Sequence, residues 1–382
     1  MVLAGFAVIA VGIFSLLAAL RNVAVLRYRL VPPLAGDGGD QEGVSVIIPA
    51  RNEEANIRDC VQSVLAQEYR PLQIIVVNDN SSDATGPILA EMAAEHAKLE
   101  VVSGEPLPPG WVGKNHAITQ GMARAGGQWV VFLDADARMS PEAVGRAVAM
   151  VRQKDLAMVS FFPRHSLCSF WEKVVQPVVL GVVFAGAPPS LTEDPKDPAA
   201  GAFGQFILFR RSAYESIGGH EAVKGEVLED WPMAQKIKAM GLRVGLADGQ
   251  DLVQVRMYTS LSGLWEGWSK NVFHGVGKKL YLLVAVLVFV FVMGIWPVLL
   301  MVWALLVALL GLPGLALPAV AGAFQLVVTL GYGAWVNRRM GLPAIYVLGF
   351  PLGAAVFMGI LLNSAYRVLS GRGVTWKGRT YT

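Results

Sequence analysis

In QWVVFLDADARM, residues 128–139, an apolar run ends abruptly in two aspartates separated by one residue. A short block of Val, Phe and Leu suits a strand buried on both faces, and such a strand delivers the residues after it to the carboxyl edge of a parallel sheet. Asp134 and Asp136 there present hard oxygen donors to one Mg²⁺ or Mn²⁺, which would in turn hold a diphosphate. The same DAD also fits a solvated turn before a helix capped by Ser140 with Pro141 at its first position, so context must decide.

Other polar residues leave apolar runs in the same way. Pro49, Arg51, Asn52 and Glu53 close VSVIIPARNEE, and Asp79 follows QIIVVN. A carboxylate at Asp79 can accept from a base N–H or a ribose hydroxyl, and Lys114 in WVGKNHA, at a helix start, can meet phosphate beside free backbone N–H groups. The plainer readings are an Asx-turn for Asp79 and a solvated helix end for Lys114. Glu229 and Asp230 in LEDWPMAQKIKAMG open a further helix, with Ile237 and Met240 on its apolar face. An acid there is either a general base or an N-cap favoured by the helix dipole. His220 comes after Gly218 and Gly219; it can touch diphosphate or acceptor, or serve as a structural histidine after a turn.

The elements that position these residues are read from periodicity. VSVIIPA (44–50) is a continuous β-branched run, and Ile57, Val61, Val64 and Leu65 then recur at helical spacing. Residues 73–78 begin the same plan again, with a helix from about 83 to 96. LEVVSG precedes a Pro-rich loop and a helix over 113–125, and the DAD strand comes fourth. Four strands alternating with helices within about 100 residues imply a mostly parallel sheet with right-handed crossovers. Glu53, Asp79, Asp134 and Asp136 then fall on one edge.

Of 382 residues, 54% are hydrophobic, too many for an ordinary soluble enzyme. The mean hydropathy is +0.48. Residues 2–20 are apolar and uncharged, long enough to span a bilayer, and Arg21, Arg27 and Arg29 come next, which puts the following domain in the cytoplasm. Residues 280–336 and 342–366 form two further apolar runs. SLCSFWEKVVQPVVLGVVFAGAPPS is interrupted by Glu172, Lys173 and Pro177 and reads as an amphipathic helix on the bilayer or a buried core helix. Trp265, Trp268 and Phe273 beside Lys270, Lys278 and Lys279 anchor an interface helix. A net charge of +3 with its basic residues at membrane edges argues against nucleic acid as partner. Cys60 and Cys168 supply neither a disulfide framework nor a zinc set.

The order VSVIIPARNEE, VVNDNSSD, GKNHA, FLDADA resembles the membrane-bound inverting glycosyltransferases of family 2, over roughly residues 43–275. That resemblance implies a GT-A fold, a nucleotide diphosphate sugar and a divalent cation. It makes Asp79 the base-recognising residue, puts Asp134 near ribose and diphosphate, and makes Asp136 a metal ligand. It assigns the general base to Asp230, with Glu229 as the fallback. The QxxRW signature of processive relatives is absent, and WEGWSKN is at most a loose counterpart. Within the family the chain is most similar to enzymes that glycosylate carotenoid- or hopanoid-type polyisoprenoids, including the closing VTWKGRTY.

The expectation is therefore an α/β GT-A nucleotide-sugar-binding domain, its mostly parallel sheet flanked by helices, with transmembrane helices at both ends. Residues 1–21 form an anchor, 22–42 a linker, 43–258 the catalytic domain, 259–279 an amphipathic interface helix, 280–366 three or four spans, and 367–382 a basic tail. The protein sits in a bacterial inner membrane with its catalytic domain in the cytoplasm. It moves one sugar, from a UDP-sugar, to a polyisoprenoid-type lipid acceptor, with Mg²⁺ or Mn²⁺ as cofactor. A processive polysaccharide synthase and a non-enzymatic scaffold or transporter are the alternatives. The apolar spans contain no intramembrane ionisable residue of the kind that marks a transport path.

Overall fold

The computed structural model describes residues 13, 15–17, 19–21, 29–31, 42–186, 189–194, 196–197, 199–311 and 316–381. The anchor expected over 1–21 and the linker over 22–42 fall mostly outside the described residues. The chain divides into two compact units, one of residues 27–166 and 187–257, the other of residues 1–26, 167–186 and 258–382.

In chain order the elements are β1 (Arg29–Leu30), β2 (Val44–Ala50), α1 (Ile57–Leu65), β3 (Leu72–Asn78), α2 (Thr85–Glu95), β4 (Leu99–Ser103), α3 (Gly113–Met122), β5 (Trp129–Leu133), β6 (Ala137–Met139), α4 (Ala143–Gln153), β7 (Met158–Phe162) and β8 (Arg164–His165). Then come α5 (Phe170–Gly186), which belongs to the other unit, α6 (Pro189–Glu193), β9 (Phe206–Arg210), α7 (Arg211–Ser216), α8 (Asp230–Ala239), β10 (Val244–Asp248) and β11 (Val253–Val255). Eight strands form one sheet in the order β1-β10-β7-β9-β5-β2-β3-β4. Only β9 runs antiparallel to its neighbours, β5 and β7. A small second sheet joins β6, β11 and β8.

The β-branched runs are buried on both faces, as strands under helices on each side must be. Val44, Val46 and Ile48 pack on one face with Ile57, Val61 and Val64 of α1 and Val144, Ala147 and Val148 of α4. The alternate residues Ile47, Ile75, Val130 and Phe132 pack on the other with Ala117 and Ile118 of α3 and Met233 and Ile237 of α8. Met240, expected on the apolar face of α8, instead follows the helix as its C-cap and is 52% exposed. The parallel run β5-β2-β3-β4 puts the ends of β2, β3 and β5 on one edge, in register Val44↔Trp129 and Val44↔Leu72.

Strand β5 is seated against β2 through Gly127. A Cβ at Gly127 would lie 2.6 Å from the Ser45 nitrogen and 2.7 Å from the Gly43 carbonyl oxygen, both main-chain atoms that cannot swing aside. Gly127→Ala is expected to lower stability by about 1–3 kcal/mol, the usual cost of overpacking. Scanning fluorimetry of the detergent-purified protein checks this, and an unchanged melting temperature would mean that the strands part there without strain.

The second unit continues with α9 (Leu261–Gly275), α10 (Leu280–Val290), a π-helical turn (Phe291–Ile295), α11 (Trp296–Leu309), α12 (Ala316–Arg339), α13 (Phe350–Leu369), and the strands β12 (Val374–Trp376) and β13 (Arg379–Tyr381). Among the described residues, three stretches are long and apolar enough to cross a membrane: Leu280–Leu309, Ala319–Arg339 and Ala344–Leu369. The π-turn frees backbone carbonyls in an apolar setting, and α12 satisfies them. Thr329 Oγ1 donates to the Met293 carbonyl at 2.7 Å, and Gln325 Nε2 donates to Ser15 Oγ at 2.7 Å and to the Val292 carbonyl at 3.3 Å.

Helix α5, for which the sequence allows a bilayer-surface or a buried role, takes the buried one over Val174, Val175, Val178, Val179 and Leu180. It approaches α13 so closely that a Cβ at Gly353 would overlap the Val174 carbonyl oxygen, at 2.1 Å. Trp268 is likewise a core residue, its Nε1 donating to Gln176 Oε1 at 2.8 Å. The closing residues pair β12 with β13 across a turn in which Lys377 and Gly378 have φ 46° and 76°, the left-handed pair that tight hairpins require.

Candidate active site

The carboxyl edge of the parallel strands is built by interlocking loops. Asp79 N–H donates to the Ala50 carbonyl at 2.8 Å. Arg51 Nη1 donates to the carbonyls of Asp79 and Asn80 at 2.7 and 2.9 Å. Asn52, at φ 51°, accepts the Ser82 N–H on Oδ1 at 2.8 Å, and the Glu53 N–H donates to Thr85 Oγ1 at 2.7 Å. Arg51, Asn52 and Glu53 thus tie the loop after β2 to the loop after β3. Pro49 lies in β2 opposite Val77. Asp79 is buried at this seam.

Asp134 and Asp136 follow β5 in a turn closed by the Ala137 N–H to the Asp134 carbonyl, 3.0 Å, and both are half-buried while Ala135 between them is buried. Cys60 of α1 lies beneath them, its Sγ 3.7 Å from the Asp134 carbonyl oxygen. Burial, then the charges of Asp136, Glu53 and Asp134, push the Cys60 thiol well up, so it stays protonated and unreactive.

Across the same edge, Lys114 in the first turn of α3 joins residues far apart in sequence. Its Nζ is 2.7 Å from Asp134 Oδ1 and 2.8 Å from Glu229 Oε1. Burial alone would lower the Lys114 pKa, but the charges of Asp134 and Glu229 outweigh it and raise it, so the ammonium keeps its proton. Burial would likewise raise Glu229, yet the Lys114 charge and hydrogen bond hold it below the ordinary carboxylate range. Asp230, the first residue of α8, goes the other way. Burial first, and the Glu229 charge second, push it up to about 7, although its Oδ1 accepts the Trp231 N–H at 2.9 Å. Two adjacent acids thus differ in character, Glu229 a fixed anion and Asp230 a carboxyl that exchanges its proton near neutrality.

Two further residues support this arrangement. Asn115 Nδ2 donates to the carbonyls of Val223 and Glu226 at 2.8 and 3.0 Å, tying the start of α3 to the segment that leads into Glu229. Gly204 borders the triad: a Cβ there would lie 3.1 Å from Lys114 Nζ and 3.4 Å from Asp230 Oδ2. Asn115 stands within GKNHA, while Gly204 carries neither charge nor spacing that marks it in sequence. The two glycines of GAFGQF are the only local hint of a close approach.

His220 belongs to the core beside the triad. It is 2% exposed, its Nδ1 lies 2.9 Å from the Tyr214 hydroxyl, and its ring meets Phe132 edge-on with centroids 4.8 Å apart. Burial pushes its pKa down to about 3, so it is neutral. The Gly218-Gly219 turn, at φ 79° and 53°, delivers it there.

The donor set fits a hard cation of the magnesium type. Among the described residues no three His, Cys, Asp or Glu side chains converge as a metal cage. Two carboxylates at a strand end, Asp134 and Asp136, instead suit an ion that takes one or two protein ligands and completes its shell with phosphate oxygens and water. The Lys114 ammonium against Asp134 shows that the position attracts positive charge.

A family model described as Glycosyl transferase family 2 matches residues 45–218. The chain is 27% identical over 351 residues to a 4,4'-diaponeurosporenoate glycosyltransferase of Staphylococcus aureus (strain MRSA252), covering 90% of this chain and 89% of that one. The protein of the same name from strain USA300 is 26% identical over 352 residues, with the same coverage. In fold, the chain is similar to a mannosyltransferase from Pyrobaculum calidifontis solved in complex with GDP-Man and Mn²⁺. That match has a TM-score of 0.54 at 18% identity and covers 96% of this chain and 98% of that one.

Proposed function

We propose that this chain, a glycosyltransferase whose residues 45–218 are a family 2 domain, moves a single sugar from a nucleotide diphosphate sugar, UDP-linked, to a membrane lipid of polyisoprenoid type. Transfer takes place at the cytoplasmic face of a bacterial inner membrane, with inversion at the anomeric carbon. The observation that carries this reading is the Lys114 bridge, 2.7 Å to Asp134 and 2.8 Å to Glu229, which joins the strand-end aspartates to the acid pair at the start of α8. The relatives named for a carotenoid carboxylic acid support a lipid acceptor. Three membrane-capable helices in the same chain fit an acceptor that stays in the bilayer.

Asp79 accepts hydrogen bonds from the nucleoside, held by a loop that Arg51, Asn52 and Glu53 stiffen. Asp134 and Asp136 hold a divalent cation, Mg²⁺ or Mn²⁺, which when bound neutralises the diphosphate and eases its departure. Lys114 keeps its proton and offers a second positive charge to the leaving group. Asp230, ionised above about pH 7, takes the proton of an acceptor hydroxyl as its oxygen bonds to the anomeric carbon. Glu229, fixed on Lys114, stays an anion and keeps Asp230 basic. His220, neutral and bonded to Tyr214, positions the wall behind Glu229.

The test is release of nucleoside diphosphate by the detergent-purified protein with Mg²⁺ or Mn²⁺, over a panel of nucleotide sugars, with and without membrane lipid extract. Lipid-dependent release from one UDP-sugar is expected, with a glycosylated lipid in the extract by mass spectrometry. Lipid-independent release would overturn the acceptor class. Absence of both release and nucleotide binding would overturn the donor site.

A further inference from the structure

Apart from the triad, the second unit holds a cleft of about 640 Å³ between α9, α13 and the closing hairpin, lined in part by Leu261, Trp265, Glu266, Ser269, Asn363 and Arg367. This volume is in the range of small-molecule sites and far larger than one inorganic anion needs. Its polar floor is partly satisfied from within, since Asn363 Nδ2 donates to Ser269 Oγ at 2.9 Å. The two charged groups of the lining, the exposed Glu266 and the half-buried Arg367, are open to solvent instead, and among the described residues they do not pair with each other.

The apolar stretch Ala344–Leu369 is long enough to cross a bilayer, and Arg367 stands in its last turn, which a span of that length brings to the level of lipid headgroups. Trp265 rests on Gly359, where a Cβ would lie 2.8 Å from its ring, eight residues or about 12 Å of helix before Arg367. One wall is therefore aromatic and apolar below a charged rim, the arrangement that interfacial tryptophans adopt. Outside the cleft's lining, the nearby cations are engaged with rings, Lys270 and Lys377 over Trp376 at 5.2 and 5.8 Å and Arg372 over Tyr366 at 5.3 Å.

We propose that this cleft binds one bilayer phospholipid whose headgroup carries both a phosphate and a primary ammonium, an ethanolamine phospholipid. Arg367 takes the phosphate oxygens with its planar fork, Glu266 takes the ammonium, and the glycerol end of an acyl chain runs along Trp265 and Leu261. The two charges that line the cleft, one of each sign, select this headgroup. A purely anionic one would satisfy Arg367 and set a like charge against Glu266. A trimethylated ammonium has no N–H to give the carboxylate.

Native mass spectrometry of the full-length protein, delipidated in detergent and titrated with phosphatidylethanolamine, phosphatidylcholine or phosphatidylglycerol, tests this. Ethanolamine lipid should be retained about tenfold more strongly than either other. Arg367→Gln should lose at least tenfold of that retention, and Glu266→Gln, an exposed and conservative change, should bring ethanolamine and choline lipids level. Soluble glycerophosphoethanolamine and inorganic phosphate should fail to compete at tenfold excess, which separates a membrane lipid from a free headgroup. Equal retention of the three lipids, preference for the glycerol lipid, unaltered retention by Arg367→Gln in protein that still elutes as a folded species, or competition by either soluble compound would each overturn the assignment.

Discussion

Asp230→Asn should lower the rate of sugar transfer to a lipid hydroxyl by about 10²–10⁴-fold, the range that a positioned general base contributes, while nucleotide-sugar affinity stays within about threefold. The asparagine preserves the shape of the side chain and its acceptor for the Trp231 N–H, 2.9 Å away, but cannot take a proton. The wild-type kcat/KM should rise with pH to a plateau above about 7, because burial and the neighbouring Glu229 charge hold the Asp230 proton until then. The variant should lack that limb. An acceptor that reacts through a carboxylate, already ionised at neutral pH, should lose less than about tenfold in the same variant. A full loss with such an acceptor would mean that Asp230 orients rather than deprotonates.

Stability gives an independent readout of the same group. A carboxyl whose folded pKa lies above its unfolded value binds its proton more tightly when folded. Its contribution is fully present below the ordinary Asp range and is lost as pH rises through about 7. Asp230→Asn escapes that loss. In metal-free buffer the variant should melt above wild type at pH 8 and close to it at pH 4. A variant that melts lower at pH 8 would show that Asp230 is not a strained carboxylate there.

Lys114→Met should be the most damaging single change for structure and activity together. It leaves Asp134 and the 7%-exposed Glu229 side chain without their shared cation, and breaking a buried pair by removing one partner costs about 3–5 kcal/mol. The Glu229 pKa would then rise, because the Lys114 charge and hydrogen bond are the largest effects opposing its burial. Donor affinity should fall at least tenfold with the lost charge. The double variant Lys114→Met/Glu229→Gln should recover much of the stability and none of the transfer. Additive losses in the two single variants would mean that the bridge does not couple them.

The strands were legible because each is a β-branched run long enough to be buried on both faces. Their parallel pairing was legible because they alternate with helices, which βαβ crossovers join in parallel. Those two facts place Asp79, Asp134 and Asp136 on one edge from residue pattern alone. The bounds of α8 were less secure. Met240 keeps the helical spacing of Ile237, but the helix has ended there and the side chain faces solvent.

Residue type and local periodicity thus determined the sheet, the apolar spans and the edge on which the acids gather, since each depends on neighbours within a turn or a strand. Tertiary structure decided the rest. That Lys114 chooses Asp134 and Glu229, that Glu229 is thereby fixed while Asp230 is left to titrate, and that His220 and Trp268 are packing residues are all contacts between segments distant in sequence. Helix α5 is the plainest case. Its apolar residues were equally suited to lipid and to protein, and tertiary packing, with the glycine at position 353 admitting the Val174 backbone to within contact, turned that face toward protein.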